Sequence, residues 1–457
     1  MKRRDFLTSS ALLGAGIPFT IGSSALLTSC NDKNSKTETA TTAYTPEELG
    51  MFSFVDVAPD GKPLKAALIG CGDRGTGAAT QFLKSGPNVS IIALADLFPD
   101  RMNGCRKVLK EQFNNEVADA NCFFGFDAYK KILAMEDIDV VLLCTPTHFR
   151  PEQFKAAVEA GKHIFMEKPC AVDPTGIRTV IASAKIAKTK GLTVITGNQR
   201  RHRRDYWEAY IQVKNGLIGD VISATAHWDQ GAWWNKRKRP EWSDMEYCIR
   251  NWFNIKWLSG DHILDQAIHN IDVVTWFTGM KPERAVGFGG RAQRLTGDIF
   301  DFFSVDYYYP NNKRMLATAR QIDGCDGNVS EQILGSKGVA LLNDHGDIKI
   351  VDYEGNILWK YDNEAKPVKN PYEQEHIHLV ESIRTNKKLN QAEDLAYSTL
   401  IAIQGREAAY TGKPISWDEI MSSPLRYGPE TYAMGPLPDY KEGEAPKPGK
   451  TPDAPVM

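Results

Sequence analysis

The chain has 457 residues, with 55 Lys and Arg against 57 Asp and Glu, giving a formal net charge of −2 at pH 7. That balance excludes the broad positive field of a general nucleic-acid binder. A content of 42% hydrophobic and 10% aromatic residues excludes a charged, disordered chain, and the length predicts two or three domains. The eight cysteines (Cys30, Cys71, Cys105, Cys122, Cys144, Cys170, Cys248 and Cys325) contain no C-x-x-C pair, which supports neither a disulfide scaffold nor a structural zinc site.

Residues 1–29 read as an export signal. Lys2-Arg3-Arg4-Asp5-Phe6-Leu7 is basic, and the apolar run Ala11 to Leu27 is weaker and shorter than the about 20 strongly apolar residues of a membrane span. The paired arginines before Phe6-Leu7 look like a twin-arginine signal, and Leu27-Thr28-Ser29-Cys30 looks like a lipobox. Cys30 is then expected to be lipidated, placing an exported protein in the periplasm or cell envelope and touching the membrane only through that lipid. Residues 30–61 read as a tether. At the other end, residues 428–457 are rich in proline and charge and are expected to wrap the surface or stay loose.

Residues 62–197 alternate between strand and helix patterns. Leu64 to Ile69 is a short apolar strand, followed by Gly70-Cys71-Gly72-Asp73-Arg74-Gly75 and a helix over 76–85. This is G-x-G-x-x-G in its strand–turn–helix setting. The first glycine allows the turn, the second lets backbone approach a pyrophosphate, and the third lets helix and strand pack. A second strand, Val89 to Ala95, ends at Asp96, where a carboxylate can accept hydrogen bonds from an adenosine ribose and favours NAD over NADP. Arg101 nearby softens that preference and leaves NADP possible. Strands at Asp139 to Cys144, His163 to Met166 and Leu192 to Thr196, with helices over 151–160 and 175–189, predict a parallel sheet whose site lies at the strands' C-terminal ends.

Three short motifs follow: Thr145-Pro146-Thr147-His148, Ala160-Gly161-Lys162-His163 and Glu167-Lys168-Pro169. About a hundred residues later comes Gly260-Asp261-His262-Ile263-Leu264-Asp265-Gln266-Ala267-Ile268-His269-Asn270-Ile271-Asp272. Together they resemble the glucose–fructose oxidoreductase / inositol dehydrogenase / MocA family over residues 62 to 420. The resemblance implies an α/β protein with an N-terminal Rossmann dinucleotide-binding domain (62–197) and a C-terminal α/β domain (198–427) for substrate and oligomerisation, built on a large, mostly antiparallel sheet. Val221 to Asp229, Arg284 to Gln293, Phe302 to Tyr309 and Arg314 to Ile322 read as its strands, and Tyr309-Pro310-Asn311-Asn312 as a hairpin turn. It also implies a dinucleotide site of Gly70, Gly72, Asp73, Arg74, Gly75, Asp96, Arg101, Thr145, Pro146, Thr147, His148, Glu167 and Lys168, and a homo-oligomer. The chain departs from the pattern at Arg150, where many relatives carry a further histidine, and in the basic run Arg200 to Arg204.

Oxidising a secondary alcohol needs a proton acceptor and a donor near the developing alkoxide. Asp265 and His269 are four apart on a predicted helix and therefore share a face. His269 is the natural proton acceptor at neutral pH. The resemblance implies that Lys168 bonds the reacting oxygen and that Asp265 orients the site. His262, Asp265 and His269 also fit a metal-binding spacing, but no cysteine supports it and family members of this type use no metal. Eight of the ten tryptophans fall between Trp207 and Trp276, and Trp233, Trp234 and Trp242 are candidates for stacking on a sugar or for filling an interdomain core. Arg201 in the run Arg200 to Arg204, and the run Lys236 to Arg239, could meet an acidic sugar or a cofactor phosphate, or form solvated faces.

Export sharpens the functional choice, because an NAD lost outside the cytoplasm has no ready replacement. The expected activity is NAD(P)-dependent oxidation of a secondary hydroxyl of a sugar or sugar derivative, with the cofactor held tightly and recycled internally. An alternative is a glycosidase working by transient oxidation and elimination, as in the related NAD-dependent exo-α-N-acetylgalactosaminidases, which generally lack the Glu-Lys-Pro motif. A third is a sugar-binding lipoprotein without turnover.

Overall fold

The computed structural model describes residues 43–449; the export signal and Cys30 lie outside the described residues. Residues 64–196 alternate strictly between strand and helix: β1 (Leu64–Ile69), α1 (Asp73–Lys84), β2 (Val89–Asp96), α2 (Pro99–Phe113), β3 (Cys122–Phe124), α3 (Ala128–Leu133), β4 (Val140–Leu143), α4 (Arg150–Glu159), β5 (His163–Met166), α5 (Pro174–Thr189) and β6 (Val194–Thr196). All six strands pair in parallel in the order β3-β2-β1-β4-β5-β6. Every residue of β4 is buried, as a strand covered by helices on both faces requires. The chain runs outward from β1 to β3 and then from β4 to β6, so the sheet's switch point is the crevice between β1 and β4.

The second layer follows with α6 (Arg204–Lys214), β7 (Val221–Gln230), α7 (Asp244–Arg250), α8 (Lys256–Ser259), α9 (His262–Asp265) and α10 (Ile268–Thr278). Then come β8 (Arg284–Gly290), β9 (Phe302–Tyr308), β10 (Arg314–Gln321), β11 (Asn328–Gly335), β12 (Val339–Asn343), β13 (Lys349–Val351), β14 (Ile357–Lys360), α11 (Pro371–Arg384), α12 (Ala392–Thr411) and β15 (Ile415–Ser416). These strands form one nine-stranded sheet, β14-β13-β12-β11-β7-β10-β9-β8-β15, antiparallel except where β7 meets β10. Its inner face alternates Phe303, Val305 and Tyr307 with Met315, Ala317 and Ala319, against α10 and α12. Its outer face leaves Ile222, Phe288 and Leu316 exposed. Helix α11 returns to the first layer and packs on α1 and β6.

Two departures from the sequence reading have clear causes. Helix α1 starts at Asp73 rather than 76, because the glycine turn itself forms its first turn. Strand β8 stops at Gly290 rather than 293, because one oxygen of Asp301 accepts the N–H groups of Ala292, Gln293 and Arg294 (2.5, 2.6 and 3.0 Å) and curls the chain away. Strands β11 to β14 were not legible, being short and mixed in polarity. Among the described residues no helix is long and apolar enough to cross a membrane.

Candidate active site

The crevice between β1 and β4 is shaped by glycine. Gly70 has φ +98°, and a Cβ there would lie 2.8 Å from the backbone of Cys144, so the turn after β1 presses against the end of β4. A Cβ on Gly75 would lie 1.8 Å from the Gly70 carbonyl, which no side chain allows. Gly72 is the N-cap of α1 and offers no side-chain cap, leaving the first-turn N–H groups available to an anion. Asp96 ties the end of β2 to this turn: one oxygen accepts from the Cys71 N–H at 2.6 Å and the other from Phe98 N–H at 2.8 Å. Burial pushes its pKa up against those two hydrogen bonds. The bare helix terminus, the glycine cradle and the carboxylate at the second strand fit a dinucleotide.

Several residues assigned to that dinucleotide are engaged with each other. Arg74 Nε lies 2.5 Å from Glu167 and its Nη2 3.4 Å from the buried Glu375, which pins α1 to the end of β5 and to α11. Burial opposes the Arg74 charge, but Glu167 and Glu375 outweigh it and raise its pKa, while burial pushes Glu375 well above the carboxylate range. Thr145 donates to Gln153 at 2.7 Å, and Thr147 is fully buried behind Pro146. The His148 ring meets the Tyr432 hydroxyl at 2.6 Å and Trp257 edge-on at 4.9 Å, and burial, with Arg426, drives its pKa down to about 3. The departure at residue 150 has a structural role, because the buried Arg150 guanidinium donates to the Pro169 carbonyl at 2.6 Å and joins the loops after β4 and β5.

At the end of β5, Lys168 turns toward the second layer. Its ammonium donates to the Asp265 carbonyl and lies 3.8 Å from the Asp265 carboxylate, which also accepts from Gln266 at 2.9 Å. The buried His269 ring lies 5.4 Å from the Trp228 ring at a tilt of 34°. Burial first, then the charges of Lys168 and Arg200, press its pKa well below the ordinary histidine value. Lys168 thus engages Asp265, and the buried, neutral His269, set against Trp228, lies near enough to feel the Lys168 charge.

The single helix expected for Asp265 and His269 is corrected. Helix α9 ends at Asp265, Gln266 departs to φ −113°, and α10 starts at Ile268. The start of α9 is set by Asp261, its N-cap, held at φ +80° and fully buried. Its carboxylate accepts from Phe300 N–H at 2.9 Å, from the Tyr410 hydroxyl at 2.5 Å and from His262 N–H at 2.6 Å, with the His262 ring at 2.9 Å. His262 is spent there, and among the described residues no group of three His, Cys, Asp or Glu side chains is arranged for a metal ion.

The expected substrate residues are placed differently. Arg201 gives both its Nε and Nη2 to Asp272 (2.8 and 3.0 Å), so it braces α10 from behind rather than facing a ligand. The basic run is not a solvated face: Arg200 is buried against Glu331, and Arg203 pairs with Asp205 and Asp344. Trp233 is 45% exposed and meets Phe253 edge-on, and Trp234 packs on Trp252 and Phe253. Trp242 stands beside Asp100 and Arg250, near the end of β2 and away from the end of β5 where Lys168 sits. It lines a cavity of about 660 Å³ with Asp100, Arg250 and the run Lys236 to Pro240.

A parallel doubly wound domain with this crevice, joined to a broad antiparallel sheet, defines a dinucleotide-binding α/β oxidoreductase fold. Residues 64–197 match the model of the oxidoreductase family with an NAD-binding Rossmann fold, and residues 206–341 match the GFO/IDH/MocA C-terminal domain. The chain belongs to the GFO/IDH/MocA family. It is 29% identical over 211 residues to the 2,7-anhydro-N-acetylneuraminate hydratase of Escherichia coli, covering 46% of this chain and 52% of that protein. It is 25% identical over 197 residues to a glycosyl hydrolase family 109 protein of Shewanella amazonensis, covering 43% and 42%. The chain thus spans about half the length of these relatives. Its fold matches scyllo-inositol dehydrogenase from Lactobacillus casei, solved with NAD(H) and scyllo-inositol, at TM-score 0.58 and 22% identity over 78% of this chain and 99% of that one.

Proposed function

We propose that the protein is an NAD-dependent oxidoreductase acting on a secondary hydroxyl of a sugar or sugar derivative and keeping its cofactor through the cycle. The observation that carries this reading is the Lys168 ammonium held on Asp265 where the end of β5 meets α9, with the neutral His269 at the start of α10 near enough to feel its charge. Gly70, Gly72, Gly75, the N-terminus of α1 and Asp96 would hold NAD, which when bound supplies a two-electron acceptor. The neutral His269 imidazole accepts the substrate hydroxyl proton, and being uncharged at pH 7 it has a free acceptor nitrogen. Lys168 donates to the reacting oxygen as negative charge develops on it, and Asp265 keeps that ammonium aimed. Trp228, set against His269, offers an apolar face to the C–H side of a sugar ring.

The test starts from protein purified with whatever nucleotide it carries, which is denatured and its nucleotide identified. The protein is then mixed with a panel of aldoses, inositols and anhydro-sugars, and nicotinamide absorbance at 340 nm is followed. Absorbance that rises with one sugar and falls with a second, oxidised one supports the reading; no bound or bindable nucleotide rejects it. The match to a family 109 hydrolase supports a second reading, in which the same residues oxidise, eliminate and re-reduce a glycoside. Release of aglycone from aryl glycosides without added cofactor would favour it. Binding of sugars with no turnover would favour a non-catalytic receptor. Export, lipidation at Cys30 and self-association through the open sheet face complete the proposal, each checked by labelling and sedimentation of the full chain.

A further inference from the structure

A third apolar cluster belongs to neither layer's main core. It joins Phe98 at the end of β2 to Met245, Tyr247, Cys248 and Ile249 of α7 and to Trp257 and Leu258 of α8, with Phe126 and Phe149 from the loops after β3 and β4. Tyr427, Tyr432, Leu437 and Tyr440 of the C-terminal tail close it. The cluster therefore spans the C-terminal ends of β2, β3 and β4, where the dinucleotide crevice opens. Polar ties hold it there. Arg250 donates both Nη groups to the Asp100 carboxylate (3.1 and 3.1 Å) while its guanidinium lies 3.9 Å over the Phe98 ring. Tyr432 meets His148, Asp244 accepts from Leu437 N–H at 3.0 Å, and Glu442 accepts from Gly297 N–H at 2.6 Å.

The loop from 231 to 243 completes this cover and brings charge. The cavity of about 660 Å³ is lined by five cations, Lys236, Arg237, Lys238, Arg239 and Arg250, against one carboxylate, Asp100. Arg250 answers Asp100, Lys238 pairs with Asp244, and Arg239 lies 3.9 Å from Glu241. Lys236 and Arg237 form no ion pair among the described residues. The Lys236 backbone is fixed by a 2.9 Å hydrogen bond from its N–H to the Asn251 side chain, and its ammonium lies 5.5 Å over the Trp234 ring. Burial and the charges of Arg101 and Arg250 lower its pKa, while Asp73 and Asp100 act the other way. Arg101 reaches over the glycine turn, since a Cβ on Gly72 would lie 2.7 Å from its Nη1. Arg101 thus stands beside the N-terminus of α1, and Lys236, which feels the charges of Arg101 and Asp73, is like it without an ion pair among the described residues.

We propose that residues 231–259 and the tail segment 427–443 form a roof over the dinucleotide crevice, that Lys236 contacts a phosphate of the bound nucleotide, and that this roof makes nucleotide release slow. The inference rests on the reading of the crevice as an NAD site and adds the device that retains the cofactor. The Arg250–Asp100 bridge is its latch, and the Tyr432–His148 contact holds its other edge. The phosphate is either the pyrophosphate or a ribose 2′-phosphate, and comparing NAD with NADP separates the two.

The experiment uses the full chain and three variants, Lys236→Gln, Arg250→Gln and Tyr432→Phe, each first checked for an unchanged melting profile. Nucleotide-loaded protein is diluted into excess thio-NAD, and release of the original nucleotide is followed by chromatography. Loss of one charged contact is expected to speed release by about tenfold or more for Lys236→Gln and Arg250→Gln, and less for Tyr432→Phe. Release from the unaltered chain should also quicken between low and high salt. If Lys236→Gln speeds release of NAD and NADP alike, the pyrophosphate is the contact; if of NADP alone, the 2′-phosphate is. Unaltered release in both charge variants overturns the roof while leaving the NAD reading intact. A chain that neither carries nor binds NAD by calorimetry overturns the reading itself.

Discussion

The two ends of the crevice are built in opposite ways. At the β1–β2 end the site is mainly backbone, with a glycine turn, an uncapped helix terminus and cations that face open space in a wide cavity. At the β5 end it is side chains, buried and mutually engaged: Lys168 on Asp265, His269 on Trp228, and Arg200 on Glu331 behind them. The first end can hold a polyanion through many weak, solvated contacts. The second relies on desolvation to fix protonation states, so each of its groups depends on its neighbours.

That contrast predicts a graded set of responses. The largest belongs to chemistry: Lys168→Ala or His269→Ala should lower turnover of any active sugar by about a thousandfold while nucleotide still binds, checked by steady-state rates beside calorimetry. Equal loss of nucleotide binding would mean the two ends are not separable. Next comes the support behind His269. Arg200→Met leaves Glu331 buried without its partner and should destabilise the fold by about 3 kcal/mol in urea unfolding at pH 8. The penalty should shrink at pH 6, because burial already holds the Glu331 pKa up at about 7 and the carboxyl can take a proton.

Acid probes the same buried half. His148 and His202 are held down at about 3, and His269, His376 and His378 well below the ordinary value, all by burial first. His202 and His378 meet at 2.7 Å beneath Phe52 of the segment preceding β1. Above about pH 6.5 these rings are neutral in both folded and unfolded chains, so their contribution is complete. As pH falls toward 3 the unfolded chain takes up protons that the folded one refuses, and stability drops by up to about 1.4 kcal/mol per pH unit for each ring. Urea midpoints at pH 8, 6 and 5 should fall accordingly; a flat profile would contradict the buried neutral state. The smallest effect is expected at exposed Trp233, where Ala should change stability by only about 0.5 kcal/mol and leave sugar turnover in place.

Much of the parallel layer was legible, and the reasons are local. The run before Gly70, the glycine spacing and the acid at Asp96 are set by neighbours within a few residues, and the apolar runs of β4 and β5 mark strands covered on both faces. Lys168, Asp265 and His269 were singled out through motifs; the structure sets Lys168 on Asp265, and the helix thought to join Asp265 and His269 is broken. Arg201 was misplaced because a basic run looks the same whether its carboxylates are absent or, like Asp272, lie 71 residues away. Trp242 lies beside Asp100 and Arg250, away from Trp228, because chain order does not tell which sheet edge a loop crosses. Trp228 and the tail's Tyr432 carried no local pattern, and Asp261 stood inside a motif without a role assigned to it.

By itself, the amino-acid sequence determined the alternation of strand and helix and the glycine turn at the N-terminus of α1, since these depend on short-range sterics and hydrogen bonding. Only the tertiary structure decided which charges are spent on one another, which histidines are kept neutral and what covers the crevice. Those outcomes depend on burial and on partners up to 328 residues apart, such as Ser53 and Glu381, and desolvation is a property of the assembled fold rather than of any segment of it.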